Sequence, residues 1–234
     1  AAEHTVLESL ERDPQFVLRG TKVHDQGEIV DTLHVIRDGW LRLDNELPDG
    51  RRHIVRTFQR GDVVGLHDLA EHRAPAALVA CTDATLCPFP RRTVGELALR
   101  SPRLLALLLA LSARDQVLLY DQLRATARMN ARDRVVYLLL SFLYRLRVTN
   151  RSMQDTFELK LTQTQIGDLL GLTNVSVSKA FVELEGRGDI LRNRQEVTLL
   201  DIPALIERIE FIDRFSTLDS SWFPPNPDRQ VYGR

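Results

Sequence analysis

The 234-residue chain contains only two cysteines, Cys81 and Cys87. That is too few for a disulfide framework, or for a site where cysteines alone hold zinc or an iron–sulfur cluster. Six positions apart near a predicted strand, the pair leaves room for one bridge, but buried thiols in a reducing cytoplasm are the simpler reading. Long hydrophobic runs are also missing. The longest aliphatic stretch, LLALLLAL from Leu104 to Leu111, is flanked by Arg103 and Arg114 and falls far short of the ~20 residues a membrane helix needs. The opening AAEHTVLESLERDP shows no charged-then-apolar signal pattern. Neither sign of charge dominates. Lys and Arg total 31 against 32 Asp and Glu, a net of -1, so contact with a polyanion must come from a local patch. There is no glycine-rich phosphate loop of the Walker or dinucleotide kind. No nucleophile–base set or metal constellation stands out either. His67-Asp68 and Asp25-x-x-Glu28 are isolated pairs, and the six histidines read as surface or satisfied core residues. Catalysis is therefore not expected.

What is present has the composition of a soluble globular protein, 44% hydrophobic and 27% charged, at a length that suits one or two domains. Residues 1–13 have helical spacing (Val6, Leu7, Leu10) and stop at Pro14. From Arg19 to Pro90, short stretches of strand character recur between turns at Asp38-Gly39, Pro48-Asp49-Gly50 and Arg60-Gly61-Asp62. A corner roughly every ten residues predicts an antiparallel β-roll or barrel. RTVGELALRSP then reads as a short helix ending at Pro102.

Between Arg103 and Gly167 there is neither proline nor glycine. The first part, to about Ala127, predicts one helix of roughly 25 residues, about 37 Å long. Its N-terminal half is apolar on nearly every side, so it must pack on something besides its own domain. A second copy of the same helix is the economical partner, with Leu104, Leu107, Leu108, Leu111 and Leu118 at the interface. A further helix covers Asn130 to Leu146, and Phe157, Leu159 and Leu161 alternate like a strand. After Ser216 the sequence TLDSSWFPPNPDRQVYGR predicts an extended arm, read as a mobile tail in preference to one docked through Trp222 and Phe223.

The most specific pattern lies between Thr162 and Gly188. Thr162 is a helix N-cap, with Ile166, Leu169 and Leu170 on the inner face. Gly171 suits a left-handed turn, and Thr173 or Asn174 caps a second helix. Val177, Phe181 and Leu184 point inward. That leaves Asn174, Val175, Ser176, Ser178 and Lys179 outward at the N-terminal end, where free N–H groups and the helix dipole suit phosphate and where a recognition helix meets base edges. Asn174 suits adenine or phosphate, Val175 a thymine methyl, and Lys179 phosphate or guanine. The stretch DILRNRQEVTLL reads as a two-stranded wing, with Arg192 and Arg194 near its tip. Thr162, Gln163 and Thr173 complete the expected DNA-binding set. From Arg128 to Leu199 there are eleven basic and eight acidic residues, a net of +3, so binding would rest on two copies and a specific site. A winged helix used for protein contacts is the competing reading.

The segments GEIVDTLHVIRDGWLRL (27–43), PDGRRHIVRTFQRGDVVG (48–65) and LTQTQIGDLLGLTNVSVSKAFVELEGRG (161–188) resemble, in the same order, the pattern of the CRP/FNR family of bacterial transcription regulators. The resemblance covers about 200 residues. It implies an α+β chain with a cyclic-nucleotide-binding-like β-roll (1–102), a dimerisation helix (103–127), a winged helix-turn-helix (128–215) and a tail (216–234). It also implies a cytoplasmic homodimer on a near-palindromic duplex, in contact with RNA polymerase if it activates. The effector pocket would include Gly65, Leu66, His67, Arg73, Ala76 and Ala77. Where cyclic-AMP-binding members carry a glutamate after the glycine, this sequence has Leu66. Where they carry an arginine, it has Pro75. Cyclic AMP is therefore disfavoured, and the effector is left open. Of the four cysteines that hold the iron–sulfur cluster in oxygen-sensing members, only Cys87 has a counterpart. Haem would rest on His67 or a nearby cysteine, with no signature behind it. In the recognition helix, members often show Arg-Glu and a later Arg; here those positions hold Asn174, Val175 and Lys179, which implies a different DNA site.

Overall fold

The computed structural model describes Leu10 and residues 12–225. The helix expected over residues 1–13 thus lies, Leu10 apart, outside the described residues, as does the tail beyond 225. The chain divides into two compact units. One comprises the chain through Leu43, Thr57–Gln116 and the segment from Leu218; the other comprises Asp44–Arg56 and Val117–Thr217.

The expected β-roll consists of eight strands: β1 (Gln15–Val17), β2 (Lys22–His24), β3 (Thr32–Asp38), β4 (Leu41–Glu46), β5 (Arg52–Phe58), β6 (Val63–Val64), β7 (Ala77–Ala80) and β8 (Ala84–Pro90). They form two four-stranded sheets, ordered β1-β8-β3-β6 and β2-β7-β4-β5. β3 pairs antiparallel with β8, from Thr32 opposite Pro90 to Ile36 opposite Leu86. Side chains alternate across the sheet, so Leu33 and Phe89 lie on one face of this pair and Ile36 and Leu86 on the other, and all four are buried. Both cysteines are buried.

His34 lies in this core, and burial, with the neighbouring His24 charge as a smaller cause, lowers its pKa from 6.5 to about 4. Below pH 6.5 the unfolded chain takes up a proton that folded His34 refuses. The folded state should therefore lose on the order of 3 kcal/mol between pH 6.5 and 4 from this group, and no more below that. Urea midpoints measured across that window should fall with pH, and His34→Phe should flatten the fall.

Three helices follow: α1 (Arg92–Arg100), α2 (Pro102–Arg128) and α3 (Ala131–Thr149). On α2, Leu104 and Leu108 form a buried cluster with Leu97 of α1, and Val63 and Leu66 pack against it. Other apolar residues of α2 face outward: Leu109 is 60% exposed, Leu119 41%, Tyr120 65% and Leu123 66%. Of the five leucines expected to face a second chain, two are therefore interior to their own unit, and Leu107, Leu111 and Leu118 are half-buried. The N-terminal half of α2 is apolar all round because one side closes the roll.

The second unit continues with β9 (Thr156–Glu158), α4 (Gln163–Leu170), α5 (Asn174–Gly186), β10 (Ile190–Asn193), β11 (Glu196–Leu199) and α6 (Ile202–Ile209). β10, β11 and β9 form an antiparallel sheet in that order. α5 packs on α3 and α4, around Val135, Leu139, Leu143, Ile166, Phe181 and Leu184. Asn130 caps α3 by accepting from the Asp133 N–H at 3.0 Å. The arm after Ser216 has no helix or strand through residue 225, yet it docks. The Arg103 guanidinium lies 5.6 Å from the Phe223 ring centre and donates to the Pro224 carbonyl at 2.9 Å. Trp222 packs edge-on against Phe223 at 4.7 Å.

Candidate nucleic-acid interface

The helical hairpin has two well-made caps. Thr162 Oγ1 accepts from the Gln165 N–H at 3.2 Å, and Gln165 Oε1 accepts from the Thr162 N–H at 2.8 Å. This reciprocal box satisfies two of the free donors at the start of α4. Gly171 ends α4 with φ 65°. The Leu172 N–H then donates back to the Gly167 carbonyl at 2.9 Å. The last carbonyls of α4 accept from side chains: Leu169 from Gln122 at 3.4 Å and Leu170 from Arg134 at 3.2 Å.

Thr173, rather than Asn174, caps α5: its hydroxyl accepts from the Ser176 N–H at 3.1 Å and contacts Ser176 Oγ at 2.9 Å. Ser176 is thereby committed to the cap and half-buried. Asn174, Val175 and Lys179 are exposed, Ser178 half-exposed, while Val177, Ala180, Phe181 and Leu184 are buried. One outward residue was missed by the sequence reading. Val182 is 62% exposed, close to Val175 at 64%. Its position seven residues after Val175 was the available signal.

The two arginines of the wing have different positions. Arg194 is at the tip, exposed, with φ 55°. Arg192 donates to Glu185 Oε2 at 2.6 Å, and its guanidinium lies 4.3 Å from the Phe181 ring centre. It braces the wing against α5, so of the two arginines only Arg194 is presented at the tip. At the wing's base Arg208 pairs with Asp189 at 2.7 Å and lies 3.6 Å from Asp133.

A further contact had no counterpart in the sequence reading. The tip of the β4–β5 hairpin belongs to the winged-helix unit. Arg52 donates through Nε and Nη2 to Asp168 Oδ2 of α4, at 3.0 and 2.6 Å, with Asp44 3.7 Å away. His53 Nδ1 donates to the Asp168 carbonyl at 2.9 Å. Pairing across 116 positions leaves no local pattern to read.

The expected effector residues lie around a 3-10 turn, His67–Ala70. A Cβ on Gly65 would stand 3.1 Å from Leu33 Cγ. Leu66 packs on the Leu97–Leu104–Leu108 cluster. The His67 ring stacks on Phe58 at 6.3 Å, with Nε2 3.2 Å from Asp68. Arg73 donates to the Gly27 carbonyl at 2.8 Å, and Ala76 and Ala77 are buried. An anionic nucleotide fits this set poorly. An alkyl side chain follows Gly65, Pro75 offers no donor, and the nearby guanidinium is directed to Gly27. Among the described residues, no group of three or more His, Cys, Asp or Glu is placed to hold a metal, and no helix is long and apolar enough to cross a membrane.

A β-roll joined through a long helix to a capped helical hairpin with a wing defines a DNA-binding protein with a sensor-type domain. Residues 14–101 match the cyclic nucleotide-binding domain family and residues 133–208 the Crp-like helix-turn-helix domain family. The chain is 31% identical over 209 residues to the nitrogen fixation regulation protein FixK of Bradyrhizobium diazoefficiens, covering 89% of this chain and 86% of that one. It is 24% identical over 201 residues to the transcriptional activator protein Anr of Pseudomonas protegens, covering 83% and 82%. Among solved structures, FixK2 of Bradyrhizobium japonicum superposes with a TM-score of 0.72 at 23% identity, over 83% of this chain and 96% of that one. The chain belongs to the CRP/FNR family of bacterial transcription regulators and is itself a DNA-binding regulator of that type.

Proposed function

We propose that two copies of this chain pair along α2 and place the N-terminal ends of their α5 helices in successive major grooves of a near-palindromic operator. The observation that carries this reading is the tip of α5. Its cap engages the Ser176 N–H, and Asn174, Val175 and Lys179 stay exposed, at the helix end that attracts phosphate and reads base edges. Thr162 and Gln163 at the start of α4, and Arg194 at the wing, flank that tip as backbone-contacting groups. The outward leucines of α2 support pairing, since an exposed apolar stripe on a long helix is covered most economically by its own symmetry mate. The protein acts in the cytoplasm, on DNA, and touches RNA polymerase where it activates. The signal reaching residues 65–77 is not a cyclic nucleotide phosphate. It acts by differential affinity for two dimer states.

The test is binding to promoter fragments over a range of salt. A specific site with a salt slope supports the reading, and equal affinity for random duplex overturns it. Lys179→Ala should weaken binding and lower the slope by about one per subunit. Val175→Glu puts a carboxylate at the groove and should abolish or redirect site choice, with the fold unchanged because the position is exposed.

A further inference from the structure

The outer face of α5 carries two branched aliphatic residues in the open and a single cation. Val175 and Val182 are 64% and 62% exposed. Lys179, exposed between them, is the only basic residue of the helix. They lie on one face, because seven residues is close to two helical turns. A protein interior does not account for them, since Val177, Ala180, Phe181 and Leu184 already fill the inner face. Glu183 is exposed beside Val182, so this turn is poorly suited to phosphate.

A valine can accept and donate nothing. In the major groove only one base presents an apolar group, the C5-methyl of thymine, while the other edges present hydrogen-bonding atoms. Resting on the DNA-binding reading above, we infer that Val175 and Val182 read the operator through thymine methyl groups. They are specificity-determining residues for two thymines in each half-site. The helical rise separates them by about 10.5 Å, or roughly three base pairs for a helix lying along the groove. Asn174, Ser178 and Lys179 supply the polar contacts around them. The low charge of the face makes the methyl contacts matter more, because little sequence-independent attraction is available to mask their loss.

The experiment starts from an operator selected by the full-length protein from a pool of random duplexes. Each thymine of a half-site is then replaced by deoxyuridine, which removes one methyl and keeps every hydrogen-bonding atom. Two positions about three base pairs apart should each lose affinity about fourfold per methyl, and about fifteenfold when both half-sites are changed. Val175→Ala should remove the sensitivity at one position and Val182→Ala at the other, leaving their affinities for the uridine-substituted operator close to that of the unaltered protein. A selected operator that is indifferent to uridine at every position overturns this inference and leaves the DNA-binding reading standing. Failure of the pool to enrich any sequence overturns both.

Discussion

Leu119→Arg combined with Leu123→Arg should leave a folded chain that sediments as a monomer and has lost its operator. Both leucines are exposed on α2, at 41% and 66%, so arginine has an open path to solvent and displaces little packing within the chain. In a symmetric pair the same positions meet their copies or near neighbours. Each leucine buried there contributes roughly 1.5–3 kcal/mol, and each arginine would have to be desolvated beside another. Losing the pair converts two-site engagement into one-site engagement, a drop of about a hundredfold to ten-thousandfold. Sedimentation and operator titration on the same samples check this. A dimer of undiminished operator affinity would place the interface elsewhere on the molecule. Leu104→Arg provides the contrast. Leu104 is 6% exposed, in a cluster with Leu97 and Leu108, so its replacement should unfold the sensor unit instead of separating two intact chains.

Gly167→Ala is expected to disable the helical hairpin although it substitutes the best helix former into a helix. A Cβ at this position would stand 2.6 Å from the Leu172 carbonyl oxygen and 3.6 Å from its carbon. The obstacle is backbone, and that backbone also returns the Leu172 N–H to the Gly167 carbonyl at 2.9 Å. Relief requires the turn to open, which shifts Thr173 and with it the cap of α5. Propensity favours alanine by about 1 kcal/mol, while crowding of this kind costs about 1–3 kcal/mol, and more where backbone cannot move. Operator binding should fall further than stability does, because the cap sets the direction of the α5 tip. Thermal melting and operator affinity together decide it. A variant with unchanged melting and unchanged affinity would mean that the turn tolerates a wider helix crossing than its geometry implies.

Local chemistry made much of the architecture readable. Strand corners fell at glycines because tight hairpin turns need the conformations glycine allows. The caps at Thr162 and Thr173, the glycine at 171 and the spacing of Val177, Phe181 and Leu184 each involve neighbours within a few positions, so pattern alone could place them. What escaped was set by tertiary partners that no local pattern singles out. The sequence put Leu104 and Leu108 among residues facing another chain, because an all-round apolar helix does not say which side its own roll covers. Arg192 was grouped with Arg194 as a DNA-binding residue near the wing tip, because nothing in RNRQ reveals that Glu185 and the Phe181 ring hold the first guanidinium. Val182 lies nearly one turn beyond Lys179, where the capping and charge pattern that marks the helix tip has ended.

The polypeptide passes from one unit to the other four times, after Leu43, Arg56, Gln116 and Thr217. A fragment beginning near Val117 would therefore carry the winged helix without the β4–β5 tip, leaving Asp168 stripped of Arg52 and His53. No single protease cut releases an intact DNA-binding half, and affinities measured on such a truncated piece would describe a surface that the whole regulator does not possess.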